Sequence, residues 1–246
     1  MSFWPEGDRG FQEALRVLKD NTSSLDNAEV FPTASLGVLG DAGVLGWVIP
    51  REYGGSEFSG AELVEGYLQL ARACLPTTFV LTQRNAACQR FALSENEPLK
   101  AELLPQLVGS ARFVTVGISH LTTSRQHLSQ PAVRVKLAEG RIQLDGVVPW
   151  VTGAGQADWV LTGGSCEDGR QVLVALPMDS RGITVLPAQD LLALDSSQTA
   201  SIQLENVLVD EGLLVAGPVE GVMHSGGRGG TGSLGTSALA LGAASS

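Results

Sequence analysis

The chain has 246 residues, with 16 Lys and Arg against 26 Asp and Glu and a formal net charge of -10. That acidic balance excludes a nucleic-acid partner, which needs clustered cations for phosphate, and no apolar run nears the ~20 residues of a membrane-spanning helix. With 43% hydrophobic residues a core can be buried and wholesale disorder is excluded. The opening MSFWPEGDRGFQEAL has no basic stretch followed by an apolar one. The three cysteines, Cys74, Cys88 and Cys166, form neither a disulfide framework nor a metal knuckle. The expectation is a reduced, soluble, cytoplasmic protein of one large or two modest domains.

Residues 1–112 read as helical. Glu13 to Lys19 starts a helical pattern, and Ser35 to Leu45 continues it, weakened by glycines. Ser59-Gly60-Ala61-Glu62 has the form of a capping box, and Leu63, Val64, Tyr67, Leu68 and Ala71 then share one face, which predicts a helix over 60–73. Ser94 and Glu97 repeat the capping signature, with Pro98 tolerated in the first turn, and the following helix is expected to stop at Gly109.

After Phe113 the period changes to two. Residues 133–146 alternate around Glu139-Gly140 and residues 159–176 around Asp168-Gly169, both hairpin signals because glycine takes the positive φ of such turns. Residues 182–187 and 200–209 continue the alternation. Helices followed by strands predict an α+β chain: a helical domain over 1–112, then an antiparallel β-barrel or sandwich over 113–216. From 217 to 246 a glycine-rich linker is expected, followed by a new helix from Leu234 that stops after two turns, as at the entrance to a further helical domain.

Several segments resemble the acyl-CoA dehydrogenase flavoenzymes. Residues 39–55 end in Pro50-Arg51-Glu52-Tyr53-Gly54-Gly55, similar to that family's Pro-Glu-x-Tyr-Gly-Gly turn. Residues 68–91 are similar to its next paired helices and 104–119 to its run into the middle domain. The best match is 144–161, where Asp145-Gly146, Trp150-Val151-Thr152, Ala154 and Ala157-Asp158 fall in register with the family's Trp-Ile-Thr segment; Val148 stands where the family has Lys.

The resemblance implies FAD as cofactor, acyl-CoA as substrate, an electron-transfer flavoprotein as partner and a homo-oligomer for the full-length protein. It makes Trp150 a wall for the flavin ring, Thr152 a hydrogen-bonding group near N5 and Val151 a backbone contact. Taken alone, Trp150 reads equally as a core or edge aromatic and Thr152 as an ordinary strand residue. Ile118 and Ser119 match the family's Val-Thr pair, so Ser119 is expected beside the flavin pyrimidine. Beyond them His120-Leu121 replaces Glu-Pro, and Thr122-Thr123-Ser124-Arg125 replaces a Gly-x-Gly-Ser-Asp loop that borders the acyl-CoA entrance. Thr123, Ser124 and Arg125 are the substrate-side candidates, although Arg125 reads equally as a solvated loop residue. His120 and His127 have no nearby cysteine, so no metal is expected. No acidic residue matches the family's catalytic glutamate, which the family carries in a C-terminal helical domain.

The leading reading is therefore FAD-dependent α,β-dehydrogenation of an acyl-CoA, with hydride passed to flavin N5. The altered loop after Ser119 keeps open a flavin monooxygenase or oxidase acting on a non-CoA substrate. A non-catalytic cofactor-binding module is the third reading.

Overall fold

A computed structural model describes residues 9–25, 30–122, 131–224 and 234–245. It has the expected α+β architecture: N-terminal helices, a mainly antiparallel sheet, and a short final helix. Helix α1 (Arg9–Leu25) buries Phe11, Ala14, Leu18 and Leu25, a spacing that keeps one face inward. Helix α2 (Thr33–Asp41) leads through a turn to Trp47, which stacks on Phe58 with ring centroids 5.4 Å apart.

Helix α3 (Gly60–Ala73) starts at the predicted capping box. The Ser59 hydroxyl accepts from the Glu62 amide at 3.4 Å, and the Glu62 carboxylate accepts from the Ser59 amide at 2.7 Å. Helix α4 (Leu75–Ala92) follows after a single residue, and α5 (Glu97–Leu103) closes the helical part.

The second capping box does not form. Ser94 donates its hydroxyl to the carbonyl of Val215 at 2.6 Å, and the α5 cap falls to Asn96, whose side chain accepts from the Leu99 amide at 3.2 Å. Asn96 also donates to the carbonyls of Gly212 and Leu214, at 2.8 and 2.9 Å. The two residues thus join the helices to the end of the sheet, and the tertiary bond overrides the local one.

The strands are β1 (Val114–Val116), β2 (Val133–Ala138), β3 (Arg141–Val151), β4 (Trp159–Cys166), β5 (Gln171–Pro177), β6 (Ile183–Val185), β7 (Ala200–Asp210) and β8 (Leu214–Val219). They form one sheet in the order β6-β7-β3-β2-β4-β5-β8, with β1 pairing β4 in parallel. Both predicted hairpins are present, β2–β3 across Glu139-Gly140 and β4–β5 across Asp168-Gly169. Strand β8 runs past the expected boundary at 216 to Val219. Helix α6 (Ser119–Thr122) is a single turn after β1.

Strands β4 and β5 are covered on both faces. Val160, Val172, Val174 and Leu176 belong to a core inside the sheet, while Leu161, Leu173 and Ala175 belong to the core shared with the helices. A near-continuous apolar run such as Val172–Leu176 is what a two-sided strand requires.

Helix α7 (Leu234–Ala243) forms where a helix is expected, and packs on α3 and α4 through buried Ala238 and Leu239. The glycines of 226–232 lie outside the described residues. No helix among the described residues is long and apolar enough to cross a membrane.

Candidate functional site

The end of β3 departs from simple alternation. Val148 pairs with Ile202 and Val151 with Ala200, so β3 carries one residue more than β7 over this stretch. Strict period two would place Val148, Trp150 and Thr152 on one face. The extra residue instead lets Val148 and Val151 both enter the sheet core, each fully buried. Trp150 is turned outward at φ +57 and is 54% exposed. Pro149, which has no amide to lose, sits at the irregularity.

Three segments meet here. Ser119, the first residue of α6, donates its hydroxyl to the Pro149 carbonyl at 3.2 Å. The Thr152 side chain is buried, 3.2 Å from the Thr199 hydroxyl, which lies 2.8 Å from that of Ser197. The Gly153 amide donates to the Ser197 carbonyl at 2.9 Å. The neighbouring Ser196 hydroxyl is buried without a hydrogen-bond partner. The structure thus brings Ser119, Trp150, Val151 and Thr152 together and adds Ser196, Ser197 and Thr199. Sequence reasoning missed those three, although a hydroxyl run at the entrance to β7 was a visible signal. Val151 offers only backbone, since its side chain is inside the sheet. Ile118 is half-buried against the helical core. Thr123, Ser124 and Arg125 lie outside the described residues.

Asp158, quoted above only as part of a matching segment, latches the two parts of the chain together. Its carboxylate accepts from the Phe113 amide at 2.7 Å and from Arg112 at 2.6 Å, fixing the residues just ahead of β1 beside the start of β4.

His120 is buried, and its Nε2 donates to the Gly163 carbonyl at 3.0 Å, leaving Nδ1 without a partner. Burial pushes its pKa below the ordinary value near 6.5, opposed by that hydrogen bond. A depressed folded-state pKa means that the unfolded chain binds the proton first, so stability is full above about pH 6.5 and falls as pH drops through the folded value. Denaturant melts at about pH 8 and about pH 5.5 are expected to show this loss in the parent and a smaller one in His120→Leu. Equal slopes would exclude His120 as the titrating group. Among the described residues no group of three His, Cys, Asp or Glu is placed to hold a metal ion.

Residues 12–110 match the family described as acyl-CoA dehydrogenase, N-terminal domain. Over those residues the chain is similar to the acyl-CoA dehydrogenases. It is 25% identical to the probable acyl-CoA dehydrogenase YngJ of Bacillus subtilis, over 94% of this chain and 62% of that protein. It therefore spans less than two thirds of the length of this relative. Among solved structures, this chain superposes on the prolyl acyl carrier protein oxidase AnaB with a TM-score of 0.76, at 17% identity over 98% of this chain and 66% of that one. It superposes on FMN-bound TdsC, a dibenzothiophene monooxygenase of Paenibacillus sp. A11-2, with a TM-score of 0.75, at 20% identity over 85% of this chain and 53% of that one. At these identities the two likenesses speak for the fold.

Proposed function

We propose that this chain provides the flavin-facing surface of an oxidoreductase that takes hydrogen from the α,β-bond of an acyl-CoA, with FAD as its cofactor. The observation that carries the reading is Trp150, a bulky residue held at positive φ and 54% exposed. Such a backbone costs about 1–3 kcal/mol and persists where the surrounding structure enforces it, most often at binding sites.

The residues suit a flavin. An exposed indole accepts a planar apolar ring, and hydroxyls beside it suit that ring's polar edge. A threonine hydroxyl has one donor and two acceptor positions. Either hydroxyl can donate in the Thr152–Thr199 contact; in the arrangement where Thr199 donates, the Thr152 proton is left for a partner, and the unpartnered Ser196 hydroxyl adds a further polar group. The flavin, when bound, supplies the acceptor for a hydride. Trp150 gives it a wall, and Ser119 and Thr152 orient its edge. Thr123, Ser124 and Arg125 are assigned to the substrate side by sequence match alone. Removal of the α-proton needs a positioned base, and none of this chain's acids is assigned that role.

The YngJ likeness supports the acyl-CoA substrate; an electron-transfer flavoprotein as electron acceptor and a homo-oligomeric assembly are what the family resemblance implies. The test is anaerobic: the longest natural reading frame containing these residues, loaded with FAD, is mixed with acyl-CoA thioesters of several lengths under nitrogen. Bleaching of the flavin by an acyl-CoA without dioxygen is expected. No bleaching at any length would sink the dehydrogenase reading.

A second reading has its own observation. His120-Leu121 stands where the resemblance calls for Glu-Pro, and AnaB and TdsC, an oxidase and a monooxygenase by their descriptions, share the fold. Turnover that requires dioxygen, on a substrate without CoA, would favour it.

A further inference from the structure

A cavity lies where the helices hand over to the sheet, built from residues other than those of the Trp150 surface. It has a volume of about 290 Å3 and is walled by α2, by Arg84 of α4, by the 110–113 connection and by Asp158 ahead of β4. Its apolar lining comes from Phe31, Leu36, Leu45 and Phe113.

Arg84 is fully buried. Its Nη1 donates to the Leu45 carbonyl at 2.8 Å and to the Asn85 side-chain oxygen at 3.1 Å, its Nη2 donates to the Leu107 carbonyl, and its Nε has no partner. All of these acceptors are neutral, and among the described residues no carboxylate forms an ion pair with Arg84. The acidic groups that feel its charge do not balance it. Tyr67 is pushed up to about 12 by burial, and burial also raises the Cys88 thiol, so both stay neutral. A buried charge without a counter-charge is costly, and an anion that reaches it gains a strong, weakly screened attraction. The other arginine at the cavity, Arg112, is already paired with Asp158 at 2.6 Å.

We propose that this cavity is a binding site for a small monocarboxylic acid, its carboxylate drawn toward the buried charge of Arg84 and its apolar body against the rings and aliphatic wall. One unbalanced cation calls for one negative charge, which disfavours phosphate esters and dicarboxylates. The volume sits at the lower end of small-molecule pockets and suits a body the size of benzoate or hexanoate. Because Phe113 and Asp158 belong to the joint between helices and sheet, the occupant stabilises that joint, and through mass action the folded chain.

The test uses the 246-residue chain and no flavin, so its outcome is independent of the flavin-binding reading. Benzoate and hexanoate are titrated by calorimetry and by melting temperature, beside the neutral isosteres benzamide and hexanamide. Saturable binding of at least one acid with a rise in melting temperature is expected, at least about tenfold tighter than its amide. Gly37→Leu is the blocking variant. Gly37 lines the cavity from α2 and a Cβ there meets no atom within 4 Å, so the first atom of a larger side chain has room and the rest extends from the cavity wall. Leucine is also the better helix former. The variant is expected to fold and to lose acid binding at least tenfold. No saturable binding of either acid, equal affinity for acid and amide, or undiminished binding in a folded Gly37→Leu would each overturn the proposal.

Discussion

Replacing Gly163 by alanine is expected to cost this protein about 3 kcal/mol of stability. Gly163 lies in the middle of β4, paired with Leu173 of β5, and a Cβ there would stand 1.8 Å from the Val172 carbonyl oxygen. The obstacle is backbone, not the end of a flexible side chain. The strands cannot separate to admit it, because both faces of β4 and β5 are packed, one against the sheet core and the other against the helices. Overpacking of a filled core typically costs about 1–3 kcal/mol, and a backbone clash belongs at the upper end. The damage also reaches the candidate site, since the Gly163 carbonyl holds His120 and through it the turn that carries Ser119. Urea melts measure the loss, with Gly37→Ala as the control. That glycine is in a helix with open space around it, so alanine there is expected to be neutral or stabilising by up to about 1 kcal/mol. A Gly163→Ala protein within about 1 kcal/mol of the parent would show that β4 yields more easily than its two-sided packing implies.

Trp150→Ala is expected to weaken FAD binding by about 2 kcal/mol, or ~30-fold, while leaving the fold in place. The loss combines the stacking contribution of about 0.5–1.5 kcal/mol with part of the apolar area an indole would bury against a ring. Folding is spared because the side chain is 54% exposed in the free chain. Trp150→Gly separates the two effects further. Glycine removes the strain of φ +57 but leaves a freer unfolded chain, so its stability is expected within about 1 kcal/mol of the parent while FAD affinity falls as in the alanine variant. Thr199→Val tests the hydroxyl chain: Thr152 keeps its own hydroxyl but loses the neighbour that orients it, and a loss of about tenfold is expected. Flavin fluorescence titration reads all of these. Unchanged affinity in Trp150→Ala and Thr152→Val together would remove the assignment of this surface to the flavin.

Local signals in the sequence carried much of the fold. The Ser59–Glu62 capping box, the glycines of the two hairpins, and the change of hydrophobic period after Phe113 each act over a few residues, and each has its counterpart in the structure. The resemblance to the acyl-CoA dehydrogenases was also legible, because short segments kept their order along the whole chain. The features that shape the site are of another kind. The sequence of Pro149, Trp150 and Val151 holds no instruction to turn Trp150 outward; that follows from β3 having one residue more than β7, about fifty residues on. Thr199 and Ser197 reach Thr152 only because the same pairing brings the start of β7 beside the end of β3. Ser94 shows the contest most directly. Its local pattern promised a cap, but the hydroxyl bonds the carbonyl of Val215, 121 residues away, because that carbonyl is buried beside it. The unbalanced charge of Arg84 was equally invisible, since it depends on which groups surround the side chain and on burial keeping Tyr67 and Cys88 neutral. The sequence alone determined helices, hairpins and family likeness, where the physical cause is local. Tertiary structure decided which side chains face solvent, which hydroxyls orient one another and where a charge lies buried, because each of these depends on partners far away in the chain.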